Sequence, residues 1–397
     1  MNSPRTLATR LGLIATFSVL AGGCAFVTPH LEPKTRYAYV ASEADAQVVV
    51  IDLGTEQVIE KIPTGKVPHA MATSRNGKIF VNNRGSNTLT VLHAHTFRML
   101  GAIDLPGTSF QLATSPDDKT LAVVYRDVLK LTLIDLDENT ILKTIDIAPN
   151  DTAFNGVMMK HPYWTPDGKF VYVADAAHRR IVKVDVAAGQ VAKSIEIDGY
   201  NHYLHASPDG QLLYAVNEQQ GGGTSLTLID AKTDRIVKHL PVALAAGEKP
   251  SGHHGAFTRD GRYFLFCNEG GQQISVLDTR TQAWVKTIAT GKGPGHAALS
   301  PDGQQFFVIH HNDGVISVID ANTLTLVRHI QIGQGDKQSH AAWFTPDGKF
   351  FYVVASGDNQ LVKIDVAQQA VVSRMPVGGR SMFFVVKDGM AFPATEY

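Results

Sequence analysis

Eight copies of one alternating apolar strand, seven of them ending in Asp, recur at intervals of 41 to 50 residues along this 397-residue chain. They predict an all-β fold, a closed β-propeller of four-stranded blades, with eight blades expected and seven as the fallback. The repeat itself is the first observation: Val48 to Asp52, Leu131 to Asp135, Ile181 to Asp185, Leu226 to Asp230, Ile274 to Asp278, Ile316 to Asp320 and Leu361 to Asp365, with Leu89 to Leu92 running into His93. The second is the content of each repeat. In one copy four β-rich runs, 255–258, 263–267, 274–278 and 284–289, are separated by the turn formers Arg259-Asp260-Gly261, Gly270-Gly271 and Thr279-Arg280-Thr281. No stretch keeps a helical period. The third is the complementarity of the ends. Residues 37–63 supply three strands but lack the first, and the run 382–386, followed by Lys387-Asp388-Gly389, supplies it. Joining them makes a composite blade and removes open sheet edges.

From the N-terminus, Arg5 and Arg10 precede the short apolar run Leu11 to Leu20, and Ala21-Gly22-Gly23 leads into Cys24. That run is too short for a permanent transmembrane helix and reads as a signal peptide. The Cys after small residues resembles a bacterial lipoprotein signal, in which this cysteine is lipidated. The expected organisation is a signal over 1–23, a lipidated Cys24 with a tether over 24–35 carrying Pro29 and Pro33, and one propeller over 36–397. The expected place is the periplasmic side of a bacterial membrane, lipid-anchored, or secreted if Cys24 is not acylated. Cys267 is the other cysteine, so a lipidated Cys24 leaves no disulfide and stability must come from a core. At 44% hydrophobic residues the chain can build one. A net charge of −1 is no footprint for nucleic acid.

The runs Tyr37 to Ser42, Phe170 to Asp175 and Leu212 to Asn217, with the Ser/Thr-Pro-Asp-Gly turns and the Val-x-Val-Ile-Asp strands, resemble the YVTN-type repeat over about residues 36 to 390. The style of repeat is similar to the eight-bladed haem-binding domain of cytochrome-type nitrite reductases. The resemblance implies a propeller; function it leaves open, because propellers host many activities. Nitrous oxide reductase similarly gathers histidines around copper at a propeller axis.

Histidines mark one position of the repeat. Six or seven residues before the third residue of the turn stand His69, His161, His202, His253 with His254, His296 and His340. The turn at Ser115-Pro116-Asp117-Asp118 has Phe110 and Gln111 there. Chance placement of 16 histidines in 397 residues would put only about 0.6 in these fourteen positions, where seven are found. A repeat fold superimposes equivalent positions about one axis, so the coincidence predicts a cluster at one channel mouth. The ends of the second strands are expected to add Asn83, Arg84, Arg126, Asp175, Glu218, Glu269, His310 and His311, with Cys267 opposite His254. As expected ligands to a metal stand His69, His161, His202, His253, His254, His296, His340, His310 and Cys267; as cofactor contacts, Arg84, Arg126, Asp175, Glu218 and Glu269. This donor set suits copper, zinc or a haem-type tetrapyrrole. Tyr125, Tyr163, Trp164, Tyr200, Tyr203 and Trp343 are candidates to wall a flat cofactor.

Each choice has a plainer counterpart. A histidine at a strand start can satisfy its nitrogens on backbone and fill a seam between blades, and a lone cysteine in a strand is commonly a small buried hydrophobe. Adjacent strand residues point to opposite faces, so mixing the two positions argues against one coplanar ring of ligands. The leading functional expectation is a tethered binder of a transition metal or metal-tetrapyrrole in delivery, cofactor assembly or electron transfer, with an envelope protein as a possible partner. A second is an enzyme at the same funnel, either a copper oxidoreductase or a lactonase using His202 with Glu218 and Arg84 or Arg126. A third is an interaction scaffold without metal.

Overall fold

The computed structural model describes residues 36–148, 159–218, 224–244, 247, 251–334 and 339–387, with the backbone alone for Tyr200 and Lys387. The signal, Cys24 and the tether lie outside the described residues, as does the Asp388-Gly389 end of the last turn.

Eight four-stranded antiparallel sheets make an eight-bladed propeller. Blade 1 is composite: Ser381–Lys387 pairs with Tyr37–Ser42 and is followed outward by Gln47–Asp52 and Gln57–Pro63. Blades 2 to 8 each take four consecutive strands, over 68–104, 109–146, 159–196, 200–242, 252–289, 294–331 and 342–376. The N- and C-terminal strands therefore close the ring, and blade 1 packs against both blade 2 and blade 8. Among the described residues no helix is long and apolar enough to cross a membrane.

The hydrophobic pattern follows from stacking sheets face to face. In blade 6 the second and third strands, Tyr263–Asn268 and Gln273–Asp278, are buried almost throughout, whereas the outermost, Ala283–Ala289, is largely exposed. A strand covered on both faces reads as a continuous apolar run. The seams between blades hold the core: Phe306, Val308, Leu265 and Ile274 meet between blades 6 and 7.

The repeated turn is explained by its own hydrogen bonds. Thr165 Oγ1 donates to Asp167 at 2.7 Å and accepts from the Phe170 amide at 3.0 Å, and Ser207, Thr258, Ser300 and Thr345 bond their turn Asp in the same way. The fourth turn residue must take positive φ, at +68° for Gly168, Gly261 and Gly348. In blade 3 Asp118 holds that conformation at +61°, one of the few residue types besides Gly and Asn that tolerates it. The Asp closing the third strand in seven blades caps the next turn, as where Asp230 Oδ1 accepts from the Thr233 amide at 2.7 Å, and in blade 2 His93 Nδ1 takes that part.

Candidate metal centre

The innermost strand of each blade carries the feature that builds the site. In blades 1 to 7 its pairing slips at one point. In blade 6 both His253 and His254 fit between the paired residues Gly252 and Gly255, opposite the single residue Cys267. Lys160 and His161 share such a bulge in blade 4, and Phe110 and Gln111 in blade 3. A bulge places two residues against one and re-aims their side chains. Histidines one position apart can therefore face the same axis, which strict strand alternation forbids. In composite blade 1 the corresponding residues are Met382 and Phe383. The bulges of blades 1 to 7, with His340 just ahead of the short first strand of blade 8, line one cavity of about 390 Å³.

The second strands contribute the residue at or just past their inner end: Glu43, Arg84, Arg126, Glu218 and Glu269 line the same cavity, and His311 joins the imidazoles. The residue before each turns inward and bonds its own blade. Asn83 donates to Thr90 at 2.8 Å, Tyr125 to Thr132 at 2.6 Å, and Asn217 to Thr227 at 2.8 Å. His310 pairs with Ser317 at 2.7 Å. This one-residue offset corrects two expectations. Asp175 is wholly buried, accepts from His178 at 2.8 Å and Arg180 at 2.7 Å, and stands opposite Met159 instead of His161. His310 serves the blade interior, and its neighbour His311 takes the funnel position. Cys267 is a third correction. Its side chain lies in the apolar seam between blades 6 and 7, away from the convergent imidazoles, and burial alone pushes its thiol well above the usual range.

The imidazoles converge. The ligand atoms of His253, His296, His311 and His340 all lie within 4.8 Å of one another, and so do those of His161, His202 and His254. The ring centres of His202 and His253 are 3.9 Å apart, and those of His254 and His296 4.2 Å. His69 lies on the same cavity outside both sets, bonded to Glu43 and against Phe383 at 4.5 Å.

Carboxylates and carbonyls fix the tautomers. Glu269 accepts from His311 Nδ1 at 2.9 Å, Glu218 accepts from His202 Nδ1, and the Gly295 carbonyl accepts from His253 Nδ1 at 3.2 Å. Each bond leaves Nε2 with a free lone pair, the usual arrangement behind a metal-ligating histidine. Sequence reading gave no part to His205, whose Nε2 accepts from the Gly255 amide at 3.1 Å and whose ring meets that of His254 edge-on at 6.1 Å. Tyr203 packs on both His161 and His254, at 4.9 and 4.3 Å. Tyr125, Trp164 and Trp343 are core residues, and Tyr163 packs beside Tyr172, so the aromatic wall reduces to Tyr203 among the named candidates with described side chains. Phe110, which lines the cavity, was legible only as an occupant of the repeat position, and Phe383, which also lines it, only as part of the closing strand.

Burial holds the imidazoles neutral. His253, His254 and His296 are at most 7% exposed, and desolvation, reinforced by neighbouring imidazoles, takes their pKa values well below the ordinary value. Desolvation lowers His69 to about 4 despite Glu43, and His205 to about 3. A neutral imidazole is the form that binds metal. Burial works against the charge on Glu43 and Glu269, yet the bonds from His69 and His311 outweigh it and keep both carboxyls below their usual range. Arg84, stacked over Phe110 at 4.7 Å, is brought down to about 9 by burial.

The donors suit a metal by a direct criterion. Both ring nitrogens of His254 and Nε2 of His311 are buried with no hydrogen-bond partner. Buried polar atoms in native folds are nearly always paired, and a bound ion or an ordered water would satisfy these nitrogens.

The fold and site define an eight-bladed propeller with a histidine-rich cluster capable of coordinating a metal. Residues 122–304 match the family described as the cytochrome D1 heme domain, and residues 245–381 match the family of seven-bladed lactonase propellers. No curated protein matches the sequence. Among solved structures the chain is similar to the dihydro-heme d1 dehydrogenase NirN in complex with DHE, with a TM-score of 0.72 at 20% identity over 88% of this chain and 74% of that one. It is similar to apo AztD from Citrobacter koseri, at 0.64 and 16% over 89% and 98%. It is similar also to hydrazine synthase of Kuenenia stuttgartiensis, at 0.59 and 20% over 76% and 96%. These likenesses establish a shared fold with the haem d1/NirN-type propeller.

Proposed function

We propose that the protein is an extracytoplasmic, membrane-tethered propeller that binds a transition metal ion, copper or zinc, at the imidazole funnel and serves in its delivery or in cofactor assembly. The observation that carries this reading is the pair of orphaned, buried imidazoles, His254 and His311, each inside a convergent set of further imidazoles. The all-nitrogen donor set suits zinc and copper. Binding, not catalysis, is the role assigned to it.

One observation favours a second reading, a metal-tetrapyrrole ligand. Arg84 and Arg126 line the same cavity as the imidazoles, Arg84 stacked on Phe110, where an anionic macrocycle would find countercharge and an aromatic face. A macrocycle leaves an iron only two axial positions, however, which uses few of the clustered imidazoles.

The test is metal analysis of protein purified from the periplasm, then titration of the stripped protein with zinc, copper and haem. Tight uptake of zinc or copper is expected, and His178→Ala, in an outer loop, should not alter it. Protein that carries no metal or coloured cofactor and takes up none of the three ends the metal reading and leaves the scaffold.

A further inference from the structure

We infer that the funnel holds two metal ions in unlike sites, one closed by four imidazoles and one left open by three. This rests on the metal-binding reading and adds the number and character of the sites. A single zinc or copper ion takes about four such ligands, so seven convergent imidazoles exceed what one ion uses.

Ligand atoms within 4.8 Å of one another form two sets with no shared member, and in the first His296 Nε2 and His340 Nδ1 are already in contact at 3.1 Å. One set is His253, His296, His311 and His340, and the other is His161, His202 and His254. Each set has its own orphan, Nε2 of His311 in the first and both nitrogens of His254 in the second. Each also has its own glutamate, Glu269 behind His311 and Glu218 behind His202. A single site of mixed ligands would need neither the second orphan nor the second carboxylate. The doubled bulge in blade 6 is what allows two sites, because it sends His253 to one set and its neighbour His254 to the other. Rings of the two sets touch, as the 3.9 Å between His202 and His253 shows. Two dications that near repel, and the two glutamates are the charges that offset them.

The sites differ in character. Four protein ligands complete a tetrahedral zinc site, whereas three leave a position for an external ligand. His161, the outer member of the three, faces the cationic wall. Its ring lies 6.4 Å from that of Phe110, which carries Arg84 at 4.7 Å and Lys160 at 5.8 Å. The fourth position of the three-imidazole site is therefore suited to a small anion.

The experiment uses the mature protein, stripped with chelator and dialysed against zinc, with metal counted per chain. A parallel cobalt(II) titration is read by visible absorption before and after azide. Two equivalents are expected, with an azide-sensitive spectrum. The H161A/H254A variant should retain one equivalent and lose the azide response; H296A/H340A should retain one equivalent and keep it. Circular dichroism checks folding, and the asparagine versions of the same pairs replace any variant that fails it. Zero equivalents in the native protein overturns the metal reading itself. One equivalent, or loss of all metal from either pair, overturns the two-site inference and leaves that reading standing. An azide response that persists in H161A/H254A overturns the assignment of the open site.

Discussion

Acidifying the metal-free protein should unfold it in a pH window that belongs to the histidines. His69, His205, His253, His254 and His296 are buried, and their folded-state pKa values lie below the ordinary 6.5, at about 4 for His69 and about 3 for His205. Above pH 6.5 these groups are neutral in both folded and unfolded chains and leave stability unchanged. Below it the unfolded chain binds protons that the folded one refuses, so stability falls as pH falls. At pH 5, about 1.5 units below the unfolded value, His69 and His205 each cost about 2 kcal/mol, about 4 kcal/mol together and a large part of the stability of many domains, and the other three act in the same direction. Glu43 and Glu269 have lowered pKa values, so what they contribute is present above the usual carboxylate range and is lost only below it, outside this window. The assay is the urea midpoint of stripped protein at pH 8, 7, 6 and 5. The midpoint should hold steady to about pH 6.5 and then drop steeply, and saturating zinc should move the drop to lower pH by binding the native state alone. A midpoint that stays flat from pH 7 to pH 5 would mean that the imidazoles are not buried and neutral, and the account of the site would fail with it.

Three further outcomes follow from named contacts. Glu218→Gln and Glu269→Gln should each weaken metal binding by about 10- to 100-fold, measured by competition with a chromophoric chelator, because the amide orients the imidazole less firmly and removes its countercharge; unchanged affinity would deny the carboxylates that part. Cys267→Ser should cost about 1–3 kcal/mol in urea melts by burying a hydroxyl among aliphatic side chains, and should leave the metal content as it is; loss of metal would return Cys267 to the ligand set. Cys24→Ser should shift the protein from the membrane to a soluble extracytoplasmic fraction, followed by fractionation and immunoblotting, and persistent tight membrane association would reject the lipid anchor.

Much of the architecture is a property of the sequence alone. The period of the alternating strands, the Ser/Thr-Pro-Asp-Gly turns and the fit of 382–386 to 37–63 are local signals, because strand periodicity and turn chemistry are decided within a few residues. The clustering of histidines was legible for the same reason: a repeat converts sequence position into position about an axis. Which side chains reach that axis was decided only in three dimensions. The bulges turn adjacent residues such as His253 and His254 into the same cavity, and no motif in the sequence announces them. At the second-strand ends the alternation of side chains is exact to one residue, so Asp175 and His310 fall into the blades while Glu218 and His311 enter the funnel. Glu43 and Phe383 meet in blade 1 from opposite ends of the chain, Lys160 comes from blade 4, and His205 reaches the cluster through the Gly255 amide and the edge of the His254 ring. Sequence determines the strands and turns by local chemistry; the assembled ring decides the site, because its donors are brought together by contacts between residues far apart in the chain.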